Sequence, residues 1–477
     1  MNVSAPARAA RLRTPALALA LGLLAAGCAV GPNYQRPAID TPAAYRGEGS
    51  SPDAPSAAES LGKEKWWQIF QDPVLQQLIR TALQQNLDVR IAAARVLQAQ
   101  AQFDITHASE FPTAAAGAQT FNERNPKISS AVPAYKAKAV EVDLSVIWNL
   151  DFWGKYRRET EAARASLLAS QWGRRAVLTT VVASVASAYF QLRELDAALK
   201  ISRDTLASRQ HSLHLIEVLA TNGSASTLDV RQAQQLVYAA AETIADFERQ
   251  IAQQENGLST LLGQNPGDMP RGRELTADAN PPAVPAGLPS GLLERRADIR
   301  QAEENLIAAN AEIGVAKAAY FPSISLTGTG GFESFALNRL FTGESTIWNV
   351  GGSLTQPVFA AGALHAGLQL AEAEKEQLLL AYRQTIIAAF QQVSDSLVAY
   401  QKQREFRSQQ EQLTSAAQDT DRLSNILYQH GGASFLQVLT SETNYFASEL
   451  DLAQARLNER LALVQLYAAL GGGWQQD

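Results

Sequence analysis

The chain repeats itself. Leu87-Asp88-Val89-Arg90 returns about 210 residues later as Ala297-Asp298-Ile299-Arg300, and Phe111-Pro112-Thr113 returns as Phe321-Pro322-Ser323. In the same order Gly223 pairs with Gly432, and Leu261-Leu262-Gly263 pairs with Ala469-Leu470-Gly471. Matches that keep both order and spacing mark two copies of one supersecondary unit. Any fold for one half must therefore serve the other. The Pro-rich stretch 281–294 reads as the linker, with a first repeat at 74–280 and a second at 295–472.

Each copy opens with a helical stretch, Val74 to Glu110 and Arg295 to Tyr320, rich in Ala, Gln and Leu and stopped by an X-Pro pair. Strands follow. Val140, Val142, Leu144, Val146, Trp148 and Leu150 alternate with mostly polar or smaller residues, the period-2 pattern of a strand with one apolar face. In the second copy Ile324 and Leu326 alternate with Ser and Thr, and Ile347 to Phe359 gives a Gly-rich partner strand. Trp148, Trp153 and Trp348 fall near strand ends, where membrane barrels carry aromatic girdles.

No segment after the N-terminal region offers the roughly 20 consecutive apolar residues of a transmembrane helix, so a membrane crossing would have to use strands. Four strands cannot close a barrel, which needs about eight, and an open edge in lipid leaves backbone groups unpaired at several kcal/mol each. Strands of several protomers would have to be pooled, and three copies would supply about twelve. A soluble sandwich is the competing reading, with few strands to build it.

After each hairpin the chain turns helical for a long way. From Tyr156 to about Ala220 there is no proline, and Leu178, Val181, Val185, Ala188, Leu192, Leu195 and Leu199 recur at steps of three and four. The second copy repeats the seam with Ile386, Phe390, Val393, Leu397 and Tyr400. Roughly 65 residues at 1.5 Å each make a helix of about 98 Å, beyond the span of a globular core. Each ends at a Gly-containing turn, Asn222-Gly223 or Gly431-Gly432, before a shorter helix returns to Leu262 or Leu470. These are antiparallel coiled-coil hairpins. A heptad stripe fits a filled bundle as well as the wall of a hollow tube. The fold class is mixed α and β, mainly helical.

The N-terminus carries Arg8, Arg11 and Arg13 before an apolar run from Ala16 to Ala26, the order of a secretory signal. Ala25-Ala26-Gly27 precede Cys28, the only cysteine among 477 residues, so neither an intrachain disulfide nor a cysteine-based zinc cluster can form. The site resembles a bacterial lipoprotein signal, with Ala25 where a large aliphatic residue is usual. That resemblance implies a signal peptide at 1–27, a covalent lipid on Cys28 (N-acyl and S-diacylglycerol), and a lipidated segment, 28–73, along the surface. Ala29 in place of Asp argues against retention in the inner membrane. A net charge of −6 offers no basic stripe for nucleic acid.

Gly31-Pro32-Asn33-Tyr34-Gln35-Arg36-Pro37 resembles the start of a mature outer-membrane efflux lipoprotein of the NodT group in the TolC family. Trp66-Trp67, Phe70, Asp72-Pro73, Leu75 and Asn86-Leu87-Asp88 continue the likeness, and Leu288 to Ile299 leading into Tyr320-Phe321-Pro322 is its most specific part. The resemblance implies a homotrimer with a twelve-stranded outer-membrane β-barrel, a long periplasmic α-helical barrel and an equatorial belt. It further implies a Gram-negative outer-membrane location, contact with outer-membrane lipid, a periplasmic adaptor (membrane fusion) protein, and an inner-membrane pump of the resistance-nodulation-division class. In such a tube the Gly-containing turns form the periplasmic aperture. The tips are Thr221 to Val230, with Gly223 and Asp229, and Tyr428 to Thr440, with Gly432, Phe435, Leu436, Gln437 and Thr440. Gln437 and Thr440 stand where family members carry acids, which removes the acidic ring and leaves Phe435 or Leu436 to close the entrance sterically. The competing reading is that Gly223 and Gly432 merely supply the positive φ a helix turn requires.

Nothing points to an enzyme. His211 and His214 lie three apart on a helix without a third ligand at a suggestive spacing, and no nucleotide or nucleophile-elbow motif falls in a fitting context. No cofactor or metal is expected. The rival readings are a type I protein secretion channel and a lipid-anchored coiled-coil tether without a pore.

Overall fold

A computed structural model describes residues 29–42, 45–46, 61–126, 134–273 and 289–474. The signal region, Cys28 and residues 281–288 of the expected linker lie outside them. The elements are α1 (Trp66–Ile69), α2 (Pro73–Gln85), α3 (Leu87–Ala108), β1 (Thr113–Asn125), β2 (Tyr135–Leu150), α4 (Lys155–Thr221), α5 (Thr227–Leu261), α6 (Pro289–Arg295), α7 (Ala297–Ala318), β3 (Ser323–Ser334), β4 (Thr346–Thr355), α8 (Ala363–Gln429) and α9 (Phe435–Ala469). Helices α4 and α8 both have 67 residues, and α5 and α9 both have 35. Their starts move from 155 to 363 and from 227 to 435, a shift of 208 in both cases.

These elements correct three expectations. Gly223 corresponds to Gly431 rather than Gly432, and it is Gly223 (φ +76°) and Gly431 (φ +74°) that occupy the left-handed region. The expected linker 281–294 ends earlier, because Pro289–Arg295 is helical, with Pro at the first position where no N–H is required. The expected strand to Phe359 stops at Thr355.

Each opening helical stretch is broken in two. Asn86 leaves helical geometry, and its Oδ1 accepts from the Val89 N–H at 3.1 Å to start α3 afresh. The Asn86 amide donates to the Leu261 carbonyl at 2.8 Å, at the end of α5. In the second copy Arg296 does the same work, donating to the Ala469 carbonyl at 3.1 Å at the end of α9. Each repeat is thus closed by a side chain that satisfies a helix C-terminal carbonyl, one of the groups a helix leaves orphaned.

The chain divides into two compact units. One comprises residues 1–38, 96–170 and 302–382. It holds a single four-stranded antiparallel sheet of order β1-β2-β3-β4, so no sandwich is formed by the described residues. The other comprises residues 39–95, 171–301 and 383–477. Its core contains the seam residues Leu178, Val181, Val185, Ala188 and Leu192 of α4 and Ile386, Val393, Leu397 and Tyr400 of α8, all buried. Segment 28–73, expected along the surface, sends Leu61, Trp66 and Phe70 into this core. Their apolar area explains why the chain is held there, at about 25 cal/mol per Å² buried.

Candidate functional site

Residues paired across an antiparallel ladder point to the same side of the sheet. Following the register from β1 to β4, one row is Ala116, Leu144, Gly330 and Trp348, and the next on that side is Ala114, Val146, Gly328 and Val350. The intervening rows are Ala115, Ser145, Thr329 and Asn349, and Gly117, Asp143, Gly331 and Ile347. Gln119, Glu141 and Glu333 continue the polar side. One face is therefore apolar and the other mostly polar. Among the described residues nothing covers the apolar face, where Trp348 and Val350 are each 78% exposed. Among the described residues β1 pairs only with β2 and β4 only with β3, so both outer ladders are open there.

The aromatic residues singled out from sequence separate. Trp348 stands exposed on the apolar face, and Trp148 on that face donates its indole N–H to the Glu110 carbonyl at 3.1 Å. Trp153 lies past the strand, stacked on Phe321 with ring centroids 4.7 Å apart and donating to the Pro322 carbonyl at 2.8 Å.

The residues after Cys28 form a strap. Val30 N–H donates to the Trp153 carbonyl at 3.0 Å, and Gly31 takes φ +105° so close to Gly314 that a Cβ would lie 2.5 Å from its Cα. The Asn310 amide donates to the Pro32 carbonyl at 2.9 Å, and buried Arg158 donates to Asn33 Oδ1 at 2.8 Å. Arg36 forks onto Glu303 at 2.7 and 2.6 Å, the bidentate pairing that a guanidinium favours. Beyond the run Gly31 to Pro37, sequence gave no signal for the partners Arg158, Glu303, Asn310 and Gly314, which lie more than 100 positions away.

At the hairpin tips the second unit brings both repeats together. Ile216 of α4, Ala233 of α5, and Phe435, Val438 and Leu439 of α9 form one buried cluster, with Tyr428 packed against it 5.6 Å from the Phe435 ring. Phe435 is 7% exposed, its ring packed inside this cluster. Leu436, 60% exposed, and its repeat counterpart Leu228, 65% exposed, point outward. The spacing of Phe435, Val438, Leu439 and Glu442 is a helical stripe that sequence could have revealed.

Asp229 is the third residue of α5, where its carboxylate accepts from the Ser226 N–H at 2.9 Å and the Ser226 hydroxyl at 2.8 Å. Ser226 Oγ accepts from the Asp229 N–H in return, a reciprocal capping box. Gln437 occupies the same position in α9, its N–H donating to Ser434 Oγ at 3.3 Å. The exposed Thr440 hydroxyl donates to the Leu436 carbonyl at 2.8 Å. Four residues proposed for the aperture thus have local helix-turn partners: Asp229, Gln437, Thr440 and, by its φ, Gly223.

Below the cluster lies a polar layer. Buried Arg209 stacks on Phe446 at 5.0 Å and donates to the Leu236 carbonyl at 3.0 Å, while Ser212 donates to Glu442 at 3.3 Å. Burial, and then the nearby Asp421 charge, hold the Glu442 carboxyl above its usual range, and burial raises Asp421 too. His211 and His214 stand exposed on α4, and no group of three or more candidate ligands gathers among the described residues.

An outer membrane efflux protein family model matches residues 78–264 and 288–472, one match in each repeat. The chain is 38% identical over 455 residues to the probable efflux pump outer membrane protein TtgC of Pseudomonas putida, covering 94% of each. It is 35% identical over 461 residues to the cation efflux system protein CusC of Escherichia coli, covering 96% of this chain and 99% of that one. Among solved structures it is similar to the outer-membrane channel OprN, with a TM-score of 0.85 at 30% identity over 94% of this chain and 100% of that one. The open-state MtrE outer membrane channel of Neisseria gonorrhoeae gives a TM-score of 0.85 at 30% identity, covering 94% and 99%. Matched over both repeats, and along almost its whole length by these relatives, the chain belongs to the outer membrane efflux protein family.

Proposed function

We propose that the chain is the outer-membrane channel subunit of a tripartite efflux system, a passive exit duct for small molecules driven by an inner-membrane pump. The observation that carries this is the sheet: one apolar face, one polar face and two open edges. In lipid every backbone donor and acceptor needs a partner, so the edges of β1 and β4 must be met by other copies. Three copies close about twelve strands, with the face of Leu144, Trp348 and Val350 toward lipid and that of Glu141, Asp143 and Asn349 lining a wet lumen. The 67-residue helices, each about 100 Å long, continue the duct through the periplasm. A periplasmic adaptor and a pump of the resistance-nodulation-division class complete the assembly, as the efflux systems named for the relatives suggest.

Such a duct makes and breaks no bonds, so no catalytic residue or cofactor is assigned. Cys28 carries the lipid anchor, and the strap from Val30 to Arg36 fastens the chain next to it. At the tip, exposed Leu436 and Leu228 narrow the entrance while Phe435 braces it from behind. The test is single-channel conductance of the purified lipidated protein in planar bilayers, with its mass in detergent from light scattering. A conducting trimer is expected. A monomer, or a particle that conducts nothing even with Leu436 and Leu228 replaced by Ala, would leave a periplasmic tether as the function.

A further inference from the structure

The duplication turns a contact inside one protomer into a template for a contact between protomers. Within the chain, α4 of the first hairpin meets α9 of the second: Ile216 joins Phe435, Val438 and Leu439, Ser212 bonds Glu442, and Arg209 stacks on Phe446. Advancing α4 by the repeat shift gives α8, and moving α9 back gives α5. A ring of hairpins in which each copy sees an equivalent neighbour must then bring α8 of one protomer onto α5 of the next. We infer that Asp421 and Thr420 of α8 dock on Arg231, Gln234 and Tyr238 of α5 in a second copy, with Asp421 and Arg231 as the ion pair that registers them. This rests on the oligomeric channel reading above.

Four observations support it. Arg231, Gln234 and Tyr238 lie on the same helical stripe as their counterparts Leu439, Glu442 and Phe446, and Tyr238 is 69% exposed where Phe446 is covered by Arg209. The counterparts of Asp421 and Arg231 are Leu213 and Leu439, members of one apolar cluster, so an apolar contact in the template becomes two opposite charges in the projected seam. Asp421 is held by the Ser441 hydroxyl at 3.3 Å and the Asn425 amide at 3.2 Å, and no cation among the described residues bridges it. Among the described residues Arg231 reaches only Gln234, at 2.8 Å on its own helix.

Cys28 is the only native cysteine, so any other thiol is an introduced one. In the full lipidated protein, T420C with Q234C is treated with a short bis-maleimide, alongside S212C with E442C from the template contact. Light scattering before treatment should give a trimer. The first pair should then run as covalent trimers in denaturing gels and the second as monomers. A trimer whose first pair yields only monomer bands overturns the seam and leaves the channel reading standing, whereas a monomer before treatment overturns both. As a second measurement, R231D should make the trimer dissociate at lower temperature in detergent, and adding D421R should recover it; no recovery refutes the ion pair.

Discussion

Gly314 offers a direct test of what fastens the N-terminal strap. A Cβ there would stand 2.8 Å from both the Val30 carbonyl oxygen and Arg158 Cγ. Neither yields easily: Val30 is tied back to Trp153, and Arg158 is buried with its guanidinium on Asn33. Overpacking at such a site costs about 1–3 kcal/mol. If the strap moves away instead, it forfeits the Arg158 to Asn33 bond, about 1.5–3 kcal/mol for a charged donor, and the Asn310 to Pro32 bond, about 1 kcal/mol. Between the two routes, Gly314→Ala costs about 1–4 kcal/mol at the strap. The assay is hydrogen exchange at the Val30 amide, whose protection reports local opening. A loss of about 3 kcal/mol corresponds to roughly 100-fold faster exchange. Gly343→Ala is the control, since nothing lies within 4 Å of a Cβ there. Val30 protection equal in both variants would refute the claim that the glycine contact seats the strap.

At the tip, Phe435→Ala should lower stability by about 3–5 kcal/mol, read from the temperature of tip unfolding, because it empties a buried site. Leu436→Ala should leave that temperature unchanged while raising conductance, and equal conductance changes in both would deny the division of labour. Ser226→Ala removes the cap of α5 and should cost about 1 kcal/mol, measured as faster amide exchange in its first turn. Buried Glu194 has its carboxyl pushed up to about 7 from 4.5 by burial alone. The folded state therefore holds that proton more tightly than the unfolded one. The stability this group contributes is fully present below pH 4.5 and is lost as pH rises through 7, up to about 3 kcal/mol. Thermal melting of Glu194→Gln against pH should show a shallower decline over that window, and parallel curves would contradict the assignment.

The duplication, the two helix-strand-strand-helix-helix units and the seam residues of α4 and α8 were all legible in the sequence, because periodicity is a local property of neighbouring side chains. The breaks at Asn86 and Arg296 were not. Local propensity favours an unbroken helix there, and what competes is a bond to Leu261 or Ala469, which only the fold brings near. The same cause lies behind Phe435. An aromatic residue just past a turn suits an opening or a core equally well until α4 and α5 are seen to cover it.

By itself the sequence determined the repeat, the alternation that makes β2 two-faced, and the family likeness carried by its longer motifs. Tertiary structure alone decided the register that extends those two faces across all four strands, the strap partners, and which tip residues face inward. Spacing along the chain sets which residues share a face of one element. Which faces meet depends on contacts hundreds of residues apart, and no local pattern encodes those.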